Sequence, residues 1–138
     1  YTVIPDWQTK SIFYTLSDAE TLIFDSNGYI TELGKKPDGF DQIKGQYTGL
    51  IKVRSDKIKE FVNFYESLDR RKIYDGKDFP NMYMTSFLQE LIDSSWKVKG
   101  VFVENGWLEV DSVEDLEIYE QLSKVGKLDT FCQLEVSV

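Results

Sequence analysis

Short apolar runs separated by turn-forming residues set the rhythm of the first third of the chain. Ile12-Phe13-Tyr14-Thr15-Leu16 is rich in strand-favouring side chains, and Leu22-Ile23-Phe24 follows after Ser17-Asp18-Ala19-Glu20. Asn27-Gly28 tolerates the positive φ angles of a tight hairpin, so residues 29–33 are expected to pair back onto the strand before them. Gly34-Lys35-Lys36-Pro37-Asp38-Gly39 reads as a loop, and residues 45–53 as a returning strand in which Gly49 marks a close approach of backbone or ligand.

From Ser55 the apolar period lengthens. Ile58, Phe61, Val62, Tyr65 and Leu68 fall on one helical stripe, with Ser55 or Asp56 available as a cap. Residues 70–80 are charged and contain glycine and proline, which predicts a solvated connection. A second helix should follow, burying Met84, Phe87, Leu88, Leu91 and Ile92. Residues 96–103 read as a strand, Glu104-Asn105-Gly106 as a turn, and residues 107–110 as a strand that pairs with the preceding one. The last helix is expected from Val113 to Lys124, with Val113, Leu116, Tyr119 and Leu122 on one side and Gly126 as its stop, before a short edge strand over residues 131–138. Hairpins followed by helix-strand units predict an α/β layer structure, with residues 1–138 forming a single domain.

Composition narrows the chemistry. With 138 residues, 41% hydrophobic and 29% charged, a packed core is expected rather than disorder. Lys plus Arg number 16 against 24 Asp plus Glu, and the net charge of -8 opposes nonspecific attraction to nucleic acid or to an anionic membrane. A phosphorylated substrate would therefore need local lysines or a metal. Cys132 is the only cysteine and histidine is absent, which excludes an internal disulfide, a structural zinc cluster and a histidine base. No apolar run approaches the length of a membrane span, and the first residues resemble no signal peptide, so a cytoplasmic protein without membrane insertion is expected. The start at Tyr1, almost inside an ordered-looking pattern, predicts a piece of a longer polypeptide.

The segment from Gly106 to Leu116 carries the most suggestive chemistry. If it is extended, Trp107, Glu109 and Asp111 share one face while Leu108 and Val110 point the other way, into a core. Carboxylates at the mouth of a sheet suit magnesium, which prefers hard oxygen ligands and shares its shell with substrate phosphates. The same residues admit a plainer role, in which Asp111 or Ser112 caps the following helix and Glu114 or Asp115 completes a capping box. Spacing alone leaves both open.

Five segments in order, Asp18-Ala19-Glu20, Gly34-Lys35-Lys36-Pro37, Gly45-Gln46-Tyr47-Thr48-Gly49-Leu50, Met84-Thr85 and Trp107-Leu108-Glu109-Val110-Asp111-Ser112, resemble a known family. They are similar to the C-terminal half of the nucleoside-triphosphate transferases that make sugar nucleotides, and of their cytidylyltransferase relatives acting on phosphocholine or aminoethylphosphonate. The resemblance covers most of residues 6–123. It implies a fragment of a Rossmann-like nucleotidyltransferase fold, with a mixed sheet, hairpins and flanking helices. It also implies an enzyme that joins a nucleoside triphosphate to a small phosphate or phosphonate monoester, CMP transfer being favoured, with release of pyrophosphate. Magnesium would be held by two acids, of which Asp111 resembles the second. The family's N-terminal half, with its glycine-rich triphosphate loop, has no counterpart in this sequence, so the chain alone is expected to be inactive and to need that half as partner.

Residue by residue, the resemblance makes Lys36 the contact to the substrate phosphate. Lys35 stands where relatives carry a glutamate that holds sugar hydroxyls, a departure that argues against a sugar. Gly49 resembles the glycine beneath the substrate, and Thr85 a hydrogen-bonding residue at a helix start. Trp7, beside Asp6, resembles an acidic-aromatic pair for a cationic substrate, with Tyr47 and Trp107 as further walls. Glu20 is placed to fix a lysine or a substrate amine, and Glu109 lies on the substrate side. Against these stand ordinary roles: a solvated loop lysine, a packing glycine, core aromatics, a surface acid and a helix cap. Two other functions remain, a sugar-1-phosphate nucleotidylyltransferase and a non-catalytic assembly module.

Overall fold

The computed structural model describes residues 2–3, 19–103, 106, 108, 110 and 112–132, and divides into two compact units, residues 1–102 and 103–138. The first unit contains strands β1 (Thr2–Val3), β2 (Leu22–Phe24), β3 (Ile30–Leu33) and β4 (Val101–Phe102), and helices α1 (Ile58–Ser67) and α2 (Met84–Asp93). The second contains helix α3 (Val113–Lys124).

The expected hairpin forms, and Asp25 organises its turn. The Asp25 carboxylate accepts from the backbone N–H groups of Asn27 at 2.8 Å and Tyr29 at 2.9 Å, while the Gly28 N–H donates to the Asp25 carbonyl at 3.1 Å. Gly28 takes φ 78 and Asn27 does not turn left-handed, so one glycine closes a longer loop where the sequence suggested a two-residue turn. β2 and β3 pair antiparallel, Leu22 opposite Leu33, with an irregularity at Phe24. Tyr29 bridges to Lys99, and the Ile30 N–H donates to the Val98 carbonyl at 2.8 Å, so the run after α2 lies along the hairpin.

Leu22, Ile30 and Leu33 on the hairpin pack against Phe87, Leu88 and Leu91 of α2, forming the centre of the core. Gln89 stitches the two layers together. Its Oε1 accepts from the Leu33 N–H at 2.8 Å, and its Nε2 donates to Asp93 Oδ1 at 2.7 Å. Such pairing satisfies a strand-edge donor that no neighbouring strand reaches.

Several expectations are corrected. The two sheets are separate and two-stranded, β2 with β3 antiparallel and β1 with β4 parallel, where one mixed sheet was expected. Residues 45–53 form no named strand, because a ladder requires a hydrogen-bonding neighbour. The predicted stripe of α1 is rotated: Phe61, Phe64 and Leu68 pack on the core, whereas Ile58, Val62 and Tyr65 are exposed. Aromatic packing decides this face, with Phe61 edge-on to Phe87 at 5.2 Å and to Trp96 at 6.3 Å. Neither Ser55 nor Asp56 caps the helix, which is entered through a 3-10 turn over Ser55–Lys57. On α2, Met84 is exposed although Phe87, Leu88 and Leu91 are buried as expected. The connection over residues 70–80 buries Tyr74 and Phe79 rather than standing wholly in solvent.

In the second unit α3 spans the expected residues. Ser112 is its cap: the Ser112 Oγ accepts from the Asp115 N–H at 3.1 Å and the Asp115 carboxylate accepts from the Ser112 N–H at 2.9 Å. Gly126, φ 68, ends it, and the Lys127 N–H returns to the Leu122 carbonyl at 2.8 Å. Of the expected stripe, Val113 and Leu116 are exposed. The strand expected over residues 12–16, residues 104–105, 107 and 109 of the expected turn and strand, and residues 133–138 lie outside the described residues; Gly106, φ 86, donates its N–H to the Phe131 carbonyl at 2.8 Å, and Val110, expected to point into a core, is exposed. Among the described residues no helix is long and apolar enough to cross a membrane.

Candidate functional site

Thr21, almost wholly buried, extends the hairpin pairing one step beyond its strands. Its N–H donates to the Lys35 carbonyl at 2.8 Å, its Oγ1 accepts from the Lys35 N–H at 3.1 Å, and its carbonyl accepts from the Gly34 N–H at 3.0 Å. This ladder sets Glu20, on one strand end, beside the loop that carries Lys36 on the other. Gly34 is then pressed onto α2. A Cβ there would lie 2.5 Å from the Thr85 Cβ and 2.8 Å from its Oγ1, and φ is +76, so both space and backbone conformation require glycine. Lys36 and Thr85 are thereby tied to one corner of the first unit.

Lys35 is engaged with Glu32 at 3.2 Å, whereas Lys36 is exposed and has no ion-pair partner among the described residues. Thr85 is buried in the first turn of α2 and does not cap it; the cap position belongs to Tyr83, which supplies no side-chain bond. The Thr85 hydroxyl has no hydrogen-bond partner among the described residues. The first turn of α2 contains no acid. A helix start of this kind presents free N–H groups and partial positive charge, a favourable setting for a phosphate.

Glu20 and Tyr47 face a shared environment. The Glu20 residue keeps solvent access, yet partial burial of its carboxyl group and, secondarily, the Asp75 carboxylate hold its pKa above the ordinary value. Burial, and then the Glu20 charge, raise the pKa of the half-buried Tyr47. The Asp75 charge acts on Glu20 and the Glu20 charge on Tyr47, so the local potential around Glu20 is negative. Gly49, two residues from Tyr47, takes φ +78 with open space on its Cβ side, so the backbone conformation explains the glycine.

Sequence reasoning missed Asp75. The signal was present in Asp75-Gly76, the central pair of a tight turn closed by Tyr74 and Lys77, whose backbones exchange hydrogen bonds of 2.7 and 2.9 Å. Trp7, Trp107, Glu109 and Asp111 lie outside the described residues. Ser112 and Asp115 make the capping box of α3. Among the described residues no group of three or more His, Cys, Asp or Glu is arranged to hold a metal ion.

No protein-family model matches the chain, and no solved structure matches it. A curated relative does: the CTP:phosphoglutamine cytidylyltransferase of Campylobacter jejuni subsp. jejuni serotype O:2 is 50% identical over 110 residues. Those residues are 80% of this chain and 43% of the relative, so the match spans less than half of the relative's length. Over four fifths of its length the chain is therefore cytidylyltransferase-like in sequence, as the order of its motifs predicted.

Proposed function

We propose that this chain is the acceptor-binding part of a nucleotidyltransferase that moves CMP from CTP to a phosphorylated, amino-acid-like acceptor such as phosphoglutamine and releases pyrophosphate. The observation that carries this reading is the 50% identity over 110 residues to a CTP:phosphoglutamine cytidylyltransferase. Phosphoglutamine takes precedence over the phosphocholine expected from the motifs, because it is the acceptor named for the relative that is 50% identical over 110 residues.

The acceptor's charges divide between the two halves of the corner. Lys36, the N–H groups at the start of α2 and the Thr85 hydroxyl suit its phosphate, while Glu20 and Asp75, with Tyr47, suit an ammonium or amide group. The acceptor phosphate is already anionic, so it needs no base to attack the α-phosphorus of CTP. The reaction is a displacement in which a P–O bond forms as the bond to pyrophosphate breaks. Positioning and charge neutralisation carry it, and the chain's part is to orient the nucleophilic oxygen. Magnesium belongs to this reading as an expectation for Asp111, where it would neutralise phosphate charge.

The test is pyrophosphate release by the longest polypeptide encoded around this sequence, with CTP and, in turn, phosphoglutamine, phosphocholine and a hexose-1-phosphate. Turnover selective for phosphoglutamine is expected. Turnover with hexose-1-phosphate alone would replace this reading with a sugar nucleotidylyltransferase, and the absence of turnover together with no binding of any acceptor would leave an assembly module. In an active enzyme, Asp111→Ala should lower turnover by more than about a hundredfold while the far-ultraviolet circular dichroism is unchanged. Near-normal turnover would remove Asp111 from the chemistry.

A further inference from the structure

Helix α1 is apolar on two faces. Phe61 and Phe64 turn toward Phe87 and Trp96 in the core. Ile58 and Val62 do not: they are 51% and 45% exposed, and Tyr65, whose ring lies 5.1 Å from that of Phe79, is still 40% exposed. At 3.6 residues per turn these three fall within about 60° of one another, so they make one stripe along the outer side of the helix. Single surface hydrophobics need no explanation, but a stripe that runs over two turns is the geometry by which one helix packs on another.

The charges beside the stripe say what fits it. Lys59 and Glu66 are exposed, lie seven residues apart on its polar edge, and have no ion-pair partner among the described residues, whereas Lys57 is engaged with Glu60. They stand about 10 Å apart along the helix axis, with Val62 close to midway. A second α1 laid antiparallel about a two-fold axis beside Val62 brings Lys59 of each copy opposite Glu66 of the other. The same operation sets Ile58 against Tyr65 and Val62 against itself, so the face is complementary to its own image, as an isologous interface must be. A parallel copy in register would oppose lysine to lysine and glutamate to glutamate.

Local charge also permits the contact. The net charge of -8 works against self-association over most of the surface. Helix α3 exposes Val113 and Leu116 as well, but there Glu114, Asp115, Glu117 and Glu120 outnumber Lys124. Along residues 57–66 the signs balance, Lys57 and Lys59 against Glu60 and Glu66. We propose that the outer face of α1 is the interface through which two copies of this chain form an antiparallel, two-fold dimer. A pair of ten-residue helices lies at the small end of specific interfaces, which begin near about 1,200 Å² in total, so the dimer forms reversibly with concentration rather than being obligate.

Sedimentation equilibrium of the longest polypeptide encoded around this sequence, from low micromolar to near-millimolar protein, tests it. The average mass should climb toward twice that of the monomer. Val62→Glu sets two carboxylates face to face at the axis and should weaken association at least about tenfold. Lys59→Glu and Glu66→Lys should each weaken it about three- to tenfold, and the double exchange should restore it, because both pairs are reinstated when the partner is another copy. A monomer at every concentration overturns the proposal, as does a dimer indifferent to Val62→Glu with unchanged far-ultraviolet circular dichroism. A double exchange that fails to restore what the single variants weaken overturns it too. Should Val62→Glu lose its circular dichroism, the three charge variants decide alone. Dimerisation of the 138-residue chain that is absent from the longer polypeptide also overturns it, since the face is then covered within one molecule.

Discussion

Gly34→Ala is the sharpest probe of the corner that holds Lys36 and Thr85. The new methyl group would sit 2.5 Å from the Thr85 Cβ, closer than real Cβ contacts come, and the obstacle is the root of a buried side chain that cannot swing away. Holding alanine at φ +76 adds a conformational penalty. The left-handed backbone costs about 1–2 kcal/mol and overpacking about 1–3 kcal/mol, so a loss of about 2–5 kcal/mol is expected. Gly28→Ala is the natural control, with φ +78 but nothing within 4 Å of the added carbon. It should cost only the conformational part, about 1–2 kcal/mol. In urea denaturation, with a slope of about 1–3 kcal/mol per molar, Gly34→Ala should lower the midpoint by about 1–2 M and Gly28→Ala by clearly less. In the active enzyme Gly34→Ala should also raise KM for the acceptor, because relief of the clash moves the loop bearing Lys36. Coincident midpoints for the two variants would refute the claim that this loop is packed onto Thr85.

Ser112→Ala removes one half of the α3 capping box and should cost about 1 kcal/mol, read as faster amide exchange over residues 113–118 with little change in the first unit. Gln89→Ala leaves the Leu33 N–H without its acceptor and should destabilise by about 1–3 kcal/mol in urea, while Gln89→Glu, which keeps an acceptor oxygen, should lose less. Glu20 has a pKa raised in the folded state, so the folded protein disfavours its charge: the penalty is absent well below the unfolded pKa and grows as pH rises through the folded one. Glu20→Gln should therefore stabilise the protein near about pH 7 and lose that advantage near about pH 4, measured as the difference in urea midpoint from the parent chain. An advantage that grows toward acid would contradict the sign.

Features fixed by neighbours in the chain were legible, and those fixed across space were not. The bounds of α3 could be read because Ser112, Asp115 and Gly126 act within a few residues of the ends they determine. The hairpin over residues 22–33 could be read for the same reason, although which residue of Asn27-Gly28 turns left-handed was settled by the Asp25 carboxylate. The face of α1 could not be read. Ile58 and Val62 satisfy a helical period as well as Phe61, Phe64 and Leu68 do, and only the presence of Phe87 and Trp96 on one side decides between them. At the site, Lys36, Thr85 and Glu20 came from motif order, which says which residues recur but not which of them meet. Asp75 was invisible for the complementary reason, since it approaches Glu20 through a turn more than fifty residues away.

The placement of charge gives an independent argument for where an acceptor phosphate would sit. An acidic chain must create a local reversal of sign to receive an anion, and the starts of α1, α2 and α3 differ in whether they can do so. The first turn of α1 contains Glu60, and that of α3 contains Glu114 and Asp115, so each already places carboxylates against its own partial positive charge. The start of α2 has neither an acid nor a side-chain cap. Gly34, held tightly against Thr85, brings the loop with Lys36 to that same helix start, while Glu32 is occupied by Lys35 and does not neutralise Lys36. On the proposed reading, a phosphate brought there would meet two sources of positive charge that no acid among the described residues pairs with, and the carboxylates of Glu20 and Asp75 would face an acceptor's cationic end. A zwitterionic acceptor satisfies both signs at once, whereas a hexose phosphate satisfies only one.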